Sequence, residues 1–134
     1  MGSFKVLDHG SRWIVPFPNV PEWNDFAVKM RRLTQDEITE INAKHGIRIG
    51  GKDGVPFQLS ARATRDSVLR SIEEWRNAED GNGQPLALTD ENKLRLIEQR
   101  VIDEREQDPE KQRKSLFLIL NELFDQAEDA ERKN

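Results

Sequence analysis

The motif closest to a nucleotide-binding site is the glycine-rich stretch at residues 46–53, GIRIGGKD. It nearly matches the phosphate-binding loop G-x-x-x-x-G-K-[ST], in which backbone N–H groups and a lysine hold phosphates and a hydroxyl binds magnesium. Asp53 stands where that hydroxyl is required, and a carboxylate there would repel phosphate. A helical pattern rather than a strand precedes the loop, which is the wrong context for the motif. We therefore predict a connecting loop and no nucleotide site.

A second stretch has the oxygen spacing of a calcium-binding loop. Asp80, Asn82, Gln84 and Glu91 fall at its positions 1, 3, 5 and 12. Pro85, however, stands where that loop needs glycine for its sharp turn, and Gln84 would be a neutral ligand. Asp-Gly and Asn-Gly pairs favour β-turns. The prediction is a turn, and thermal melting with calcium and with chelator would distinguish it from a calcium site.

The remaining candidates for acid–base chemistry are two histidines and 25 acidic residues. His9 and His45 are far apart in the sequence, and neither has a ligand-like neighbour at helical spacing. General acid–base catalysis needs a partly buried group with a shifted pKa, and most of the carboxylates fall on helix faces expected to be solvated. The absence of cysteine excludes disulfides, thiol catalysis and thiolate metal sites. We expect no catalytic residue, cofactor or metal: the protein is predicted not to be an enzyme.

The amino-acid composition argues against two kinds of partner, nucleic acids and membranes. The 21 basic and 25 acidic residues are well mixed and give a net charge of −4, so no basic face is available for nucleic acid. No apolar run reaches the ~18–20 residues that span a membrane, and residues 1–5 lack the apolar stretch of a signal peptide, so the cytoplasm is expected. Only 35% of the residues are hydrophobic and 34% are charged, with a mean hydropathy of −0.81. This balance predicts a thin core and segments that become ordered on a partner.

Residues 1–31 are predicted to be β-rich. Residues 4–7, 13–15 and 26–30 carry the β-branched and aromatic residues of short strands, and a polar turn separates the first two. Three prolines between residues 16 and 21 remove backbone donors, so that stretch is irregular or a sheet edge. We expect a small antiparallel sheet or hairpin.

Residues 32–131 are predicted to be helical. Thr34 and Glu37 have capping-box spacing at the start of a first helix that ends at Gly46, and a short strand is possible at residues 55–59. A second helix is expected at residues 64–76, a third after Thr89, and a last one from Asp108 and Pro109. The predicted fold is mainly α with a small N-terminal β element (α+β), one compact domain of about four helices spanning residues 1–134.

Apolar stripes indicate which helix faces are buried. Trp75 closes the stripe of the second helix and is expected in the core, whereas Trp13 and Trp23 pack the sheet or form an exposed contact. The stripe of the third helix is expected to continue from Leu94 through Val101 and Ile102.

The last helix carries five consecutive apolar residues, 116–120, which wrap around most of its circumference. Such a helix is either a central core helix or a core helix that also forms an interface. The candidate protein-binding residues are Leu116, Phe117, Leu120, Leu123 and Phe124.

Several short motifs follow one another along the chain. Phe26 precedes a Leu-Thr-x-x-Glu helix start at residues 33–37, and a predicted helix with Trp75 comes next. An Asp-x-x-Gly-x-Pro-Leu turn at residues 80–86 is followed by a Thr-x-Glu-Asn helix start at residues 89–92. With its apolar last helix, the chain resembles over roughly residues 26–124 the tail assembly chaperones of long-tailed bacteriophages (lambda-like and HK97-like siphophages). Glu74 departs from the family pattern, which often has glycine before the tryptophan.

The resemblance implies a function in phage tail assembly. Such chaperones coat the long helical tape measure protein, keep it soluble and present it to tail tube protein subunits. The resemblance also implies self-association, a longer frameshifted form of the same protein, location in the bacterial host cytoplasm and absence from the mature virion. It supplies no catalytic residues. The alternative is a phage structural or head–tail connector protein, or another non-enzymatic protein-interaction module.

Overall fold

The computed structural model describes residues 2–4, 10–45 and 61–133, without the side chains of Ala61 and Lys133. The predicted loop at residues 46–53, the helix end at Gly46 and the strand at residues 55–59 lie outside this part of the chain. His9 and most of the strand predicted at residues 4–7 also lie outside it.

A three-stranded antiparallel sheet forms the first layer of the fold. Strand β1 (Arg12–Ile14) pairs with β2 (Ala27–Met30), and β2 pairs on its other side with β3 (Ile72–Arg76). The register places Val28 opposite both Ile14 and Trp75. Between β1 and β2, the proline-rich segment makes successive turns, each closed by a backbone hydrogen bond, such as that from the Trp23 N–H to the Val20 carbonyl at 2.9 Å. The strands predicted at residues 13–15 and 26–30 and the irregular proline segment are confirmed, but the third strand of the sheet comes from residues 72–76.

Helix α1 (Gln35–Lys44) begins at the predicted capping box. The Thr34 hydroxyl accepts a hydrogen bond from the Glu37 N–H at 3.2 Å, and the Glu37 carboxylate accepts one from the Thr34 N–H at 3.1 Å. Two backbone donors that a helix start leaves without intrahelical partners are thereby satisfied. His45 caps the other end.

The prediction of a helix at residues 64–76 is wrong for the last five of these residues. Helix α2 (Ala61–Ser71) ends at Ser71, and residues 72–76 form β3. The apolar spacing of Val68, Ile72 and Trp75 fits a helix, but the last two side chains reach the core from a strand. The cause is tertiary: β2 has a second edge of backbone donors and acceptors, and β3 pairs with it. The core prediction for Trp75 is correct.

A hairpin in the second half of the chain also departs from the predicted helices. Helix α3 (Asp90–Ile97) begins at the predicted cap Thr89, but Val101 and Ile102 belong to β4 (Arg100–Ile102). Strand β4 pairs with β5 (Arg113–Ser115). Asp108 and Pro109 start a 3₁₀ turn, Pro109–Lys111, rather than the last helix. The fold is α+β, and its β structure is not restricted to residues 1–31.

Helix α4 (Leu116–Lys133) follows β5 directly and packs against the sheet and the hairpin. One apolar core joins α2, α3 and α4 to the inner face of the sheet. None of the helices in the described residues is long and apolar enough to cross a membrane. The buried apolar residues of this core are Ile14, Phe17, Phe26, Val28, Met30, Val68, Ile72, Trp75, Ile97, Leu116, Ile119, Leu120 and Phe124.

Candidate protein-docking groove

The five candidate binding residues on α4 have different surroundings. Leu116, Leu120 and Phe124 are buried in the core, whereas Phe117 and Leu123 are partly buried and pack against it. Leu118, between them, is 45% exposed. The first turns of α4, up to Phe124, are therefore covered on most sides by their own chain. In this conformation, a partner can reach Phe117 and Leu123 but not the side chain of Leu120.

Phe117 and Phe124 also line a groove of about 570 Å³ between α1 and α4. One wall is a face of α4, and the facing wall is the face of α1 that carries Ile38 and Ile41. Met30 and Leu33 lie between the two helices. The volume falls within the range of about 300–1,000 Å³ typical of ligand clefts. This is an apolar groove that side chains of another molecule can enter.

A buried amide without a partner lies in the wall of this groove. Asn42 is only 5% exposed, and its Nδ2 and Oδ1 atoms form no hydrogen bond within the described chain. Buried polar groups are almost always paired, because leaving one without a partner costs about 1–3 kcal/mol. Asn42 was not singled out by the sequence, since its burial depends on how α1 packs.

The charged groups beside the groove already have partners. Arg31 donates to both oxygens of Glu37, at 2.7 and 2.8 Å. Arg32 pairs with Asp125 at 2.8 Å and with Glu128, both on α4. The hydrogen bond from Arg31, with that from the Thr34 N–H, lowers the pKa of Glu37 to about 2. The groove therefore presents apolar surface and neutral amides to a ligand rather than an unpaired charge.

A charged cleft of about 690 Å³ lies between α2 and α3 and contains His45. His45 Nε2 lies 2.6 Å from the Asp66 carboxylate. That hydrogen bond, and one from Lys44, lower the pKa of Asp66 despite the opposing effect of burial. The pair was missed by sequence reasoning, because the partner lies 21 residues away on another helix. No serine, threonine or cysteine lines the cleft among the described residues.

A third depression, of about 590 Å³, has an aromatic floor and an acidic rim. Trp23 is half-exposed there and contacts the edge of Phe17, with ring centroids 5.2 Å apart. Trp13, by contrast, lies under the Arg76 guanidinium, 4.7 Å from its ring centroid. The depression favours cationic over anionic neighbours, because its charged lining residues are all acidic: Glu22, Asp25, Glu79 and Asp80.

The calcium-like stretch forms the predicted turn. One oxygen of Asp80 accepts hydrogen bonds from the N–H groups of Asn82 and Gln84, at 2.8 and 3.0 Å. Gly83 has φ +77°, a conformation that glycine adopts without strain. Glu91 lies in the cleft between α2 and α3, whereas Asp80 lies in the acidic depression. No group of three or more potential metal-ligating side chains occurs within residues 2–4, 10–45 and 61–133.

Comparison with known proteins identifies no relative. No protein-family model, curated protein or solved structure matches the chain.

Proposed function

We propose that the chain is a tail assembly chaperone of a long-tailed bacteriophage, which binds the tape measure protein and presents it to tail tube subunits. It acts in the cytoplasm of the bacterial host, is absent from the mature virion, and has no catalytic activity. The groove between α1 and α4 carries this proposal, because it offers the partly buried side chains of Phe117 on α4 and Ile38 on α1 to a partner. The motif order at residues 26–124 supplies the family resemblance.

The chemistry of the groove suits a helical client. An amphipathic helix binds a groove by inserting apolar side chains from one of its faces. Long apolar helices aggregate when they are unprotected, so a partner that covers them keeps them in solution. The abundant surface charge of this chain, 34% of its residues, keeps such a complex soluble.

Co-expression with the tape measure protein tests the proposal. The wild-type protein is expected to co-purify with the tape measure protein and to raise its soluble fraction. Ile38→Glu places a charge in the groove at a half-buried position, so we expect at least a roughly ten-fold loss of co-purified tape measure protein, about 1.4 kcal/mol.

Leu88→Glu is the matched control, because Leu88 is exposed in the loop before α3 and lies outside the groove. It should leave co-purification unchanged, and circular dichroism melting would verify that both variants fold. Absence of any effect of the wild-type protein on tape measure solubility would contradict the proposal. So would mass-spectrometric detection of the chain in purified virions, which is the outcome expected of a structural or connector protein.

A further inference from the structure

The depression beside Trp23 carries negative charge that the rest of the described chain does not balance. Its four acidic residues are Glu22, Asp25, Glu79 and Asp80. None of the four forms an ion pair within the described residues, and no lysine, arginine or histidine lines the depression there. In the groove between α1 and α4, by contrast, Arg31 and Arg32 bind carboxylates. The depression therefore attracts positive charge from outside the chain.

Trp23 adds an aromatic surface to this charge. Its side chain is 49% exposed, and its ring packs edge-to-face with Phe17. Trp13 shows in the same chain what such a ring binds, because the Arg76 guanidinium lies over it. None of the cation–π contacts among the described residues involves Trp23. Since the face of an indole ring attracts cations, Trp23 and the acidic rim favour the same kind of ligand.

Hydrogen bonds hold the depression in shape before any ligand enters. The Trp23 N–H donates to the Val20 carbonyl at 2.9 Å, and the Phe26 N–H donates to the Trp23 carbonyl at 3.1 Å. The Asn77 side chain donates to the Asp25 carbonyl at 2.8 Å and so joins this segment to the residues after β3. A preformed site binds more tightly than a mobile one, because less conformational freedom is lost on binding.

Arginine fits these groups better than other cations do. Its planar guanidinium stacks on aromatic rings and donates two parallel hydrogen bonds to a carboxylate. The ammonium group of lysine is compact and strongly hydrated, so it gains less from either contact. A metal ion needs several converging ligands, and no group of three or more potential ligating side chains occurs among the described residues.

We propose that the depression binds an arginine side chain from an exposed basic segment of a partner protein, stacked on Trp23 and paired with carboxylates of the rim. The depression shares no lining residue with the groove between α1 and α4. It is therefore a second contact surface, and this inference does not depend on the proposed function.

Short fluorescent peptides test the ligand class. They are identical except at one central position, which carries arginine, lysine or citrulline, a residue with the shape of arginine but no charge. Fluorescence anisotropy should show that the wild-type protein binds the arginine peptide roughly ten-fold more tightly than the citrulline peptide, and more tightly than the lysine peptide. Added sodium chloride should weaken binding of the arginine peptide, because the rim carboxylates are exposed or half-buried.

Trp23→Leu should weaken binding of the arginine peptide roughly five-fold, because it removes the aromatic face and keeps an apolar side chain. Trp13→Leu is the matched control and should leave binding unchanged, since Trp13 already lies under Arg76 and does not line the depression. Circular dichroism melting would verify that both variants fold.

A pair of double variants separates the rim from the overall acidity of the chain. Glu22→Gln with Asp25→Asn removes two rim charges and should weaken binding at least as much as Trp23→Leu. Glu104→Gln with Glu110→Gln removes two exposed charges outside the depression and should leave the affinity unchanged.

Equal affinity for the arginine and citrulline peptides would overturn the inference, as would equal losses from Trp23→Leu and Trp13→Leu. Equal affinity for the lysine peptide would overturn the choice of arginine. Displacement of the peptide by calcium chloride, but not by sodium chloride at the same ionic strength, would also overturn it, because the occupant would then be a metal ion.

The inference and the proposed function fail separately. Ile38→Glu should leave binding of the arginine peptide unchanged, and a loss would place the peptide in the groove between α1 and α4 and overturn the inference. If the peptides are distinguished but the tape measure protein is not bound, the proposed function fails and the inference stands. If the tape measure protein is bound but the peptides are not distinguished, the inference fails and the proposed function stands.

Discussion

At the scale of single residues, Asp103 is a buried carboxylate that binds two basic side chains, those of Arg105 and Lys114. It is 5% exposed and accepts hydrogen bonds from the Arg105 side chain at 2.9 and 3.0 Å and from Lys114 at 3.0 Å. Burial alone would raise its pKa, but these hydrogen bonds, with one from the Arg105 N–H, outweigh it and lower the pKa to about 2. Because its pKa is lower in the folded than in the unfolded chain, Asp103 stabilises the fold more when it is ionised than when it is protonated.

Asp103→Asn should reduce the free energy of unfolding at pH 7 by about 1.5–3 kcal/mol, because it weakens the charge-assisted hydrogen bonds from Arg105 and Lys114, while Lys114 keeps Glu106 and Glu122 as more distant counter-ions. Urea unfolding measures this loss. The difference from the wild-type protein should shrink as the pH falls from about 4 towards 2, where Asp103 itself becomes protonated.

Glu104→Gln provides the control for Asp103→Asn, because Glu104 is the exposed neighbour in the same turn. It should change the free energy of unfolding by no more than about 0.5 kcal/mol. An Asp103→Asn variant as stable as the wild-type protein at pH 7 would mean that the buried ion pairs contribute no net stability.

At the scale of elements, α4 has two roles: one side of it is part of the core, and another side forms one wall of the groove. Two leucines of the same turn, on nearly opposite sides of the helix, show the division: Leu120 is fully buried and Leu118 is 45% exposed. A charged substitution at Leu120 would therefore disrupt the core before it could report on binding.

Leu120→Ala is expected to destabilise the protein by about 2–5 kcal/mol, since the truncation leaves a cavity between α4 and the sheet. Leu118→Ala is the same substitution on the same helix and should stay within about 0.5 kcal/mol of the wild-type protein. Thermal and urea unfolding would compare the two variants. Similar losses for both would show that the exposed side of α4 is covered in solution.

Short sequence motifs predicted where helices begin more accurately than whether a segment is a helix or a strand. The capping box at Thr34 and the cap at Thr89 involve residues three apart, so the sequence contains the whole interaction. Residues 72–76 have no such local determinant, because their strand exists only through pairing with β2, more than forty residues away. Asp108 does cap a turn, but the chain then pairs with β4 instead of continuing as a helix.

The sequence predicted only part of the candidate site, because tertiary packing decides which residues line it. The five apolar residues at the start of α4 identified a helix with more apolar surface than one face can bury. Which of them face the groove depends on where α1 and the sheet cover α4. The same holds for Asn42, which reads in the sequence as an ordinary polar residue of a helix.

At the scale of the whole molecule, acidic groups stabilise the fold through their partners. The pKa of Glu40 is lowered chiefly by its hydrogen bonds from Arg70, and that of Glu106 by the Asp108 N–H and Lys114. Glu37, Asp66 and Asp103 also have lowered pKa values. A carboxyl group with a lowered pKa in the folded state binds protons more readily when the chain is unfolded, so acid favours unfolding.

The free energy of unfolding should therefore be greatest near neutral pH and should fall steadily from about pH 5 to pH 2. Urea unfolding at a series of pH values measures the profile. The double variant Glu37→Gln, Asp103→Asn should be less stable at pH 7 and show a flatter profile, because the two groups with pKa values of about 2 no longer titrate. A wild-type profile that is level down to pH 3 would rule out a stabilising role for these ionised groups.

Helix α4 is held by apolar contacts in its first turns and by ion pairs in its later turns. Its last buried apolar residue is Phe124, and beyond it Arg32 binds Asp125 and Glu128 while Arg12 binds Glu131. Of these pairs, Arg32 with Asp125 is exposed on both sides; dissolved ions screen it most and leave the apolar contacts in place. Since Phe124 and Asp125 form the end of the groove wall, added salt should loosen that end and leave the first turns fixed. The width of the groove at that end is therefore expected to increase with the ionic strength of the surrounding medium.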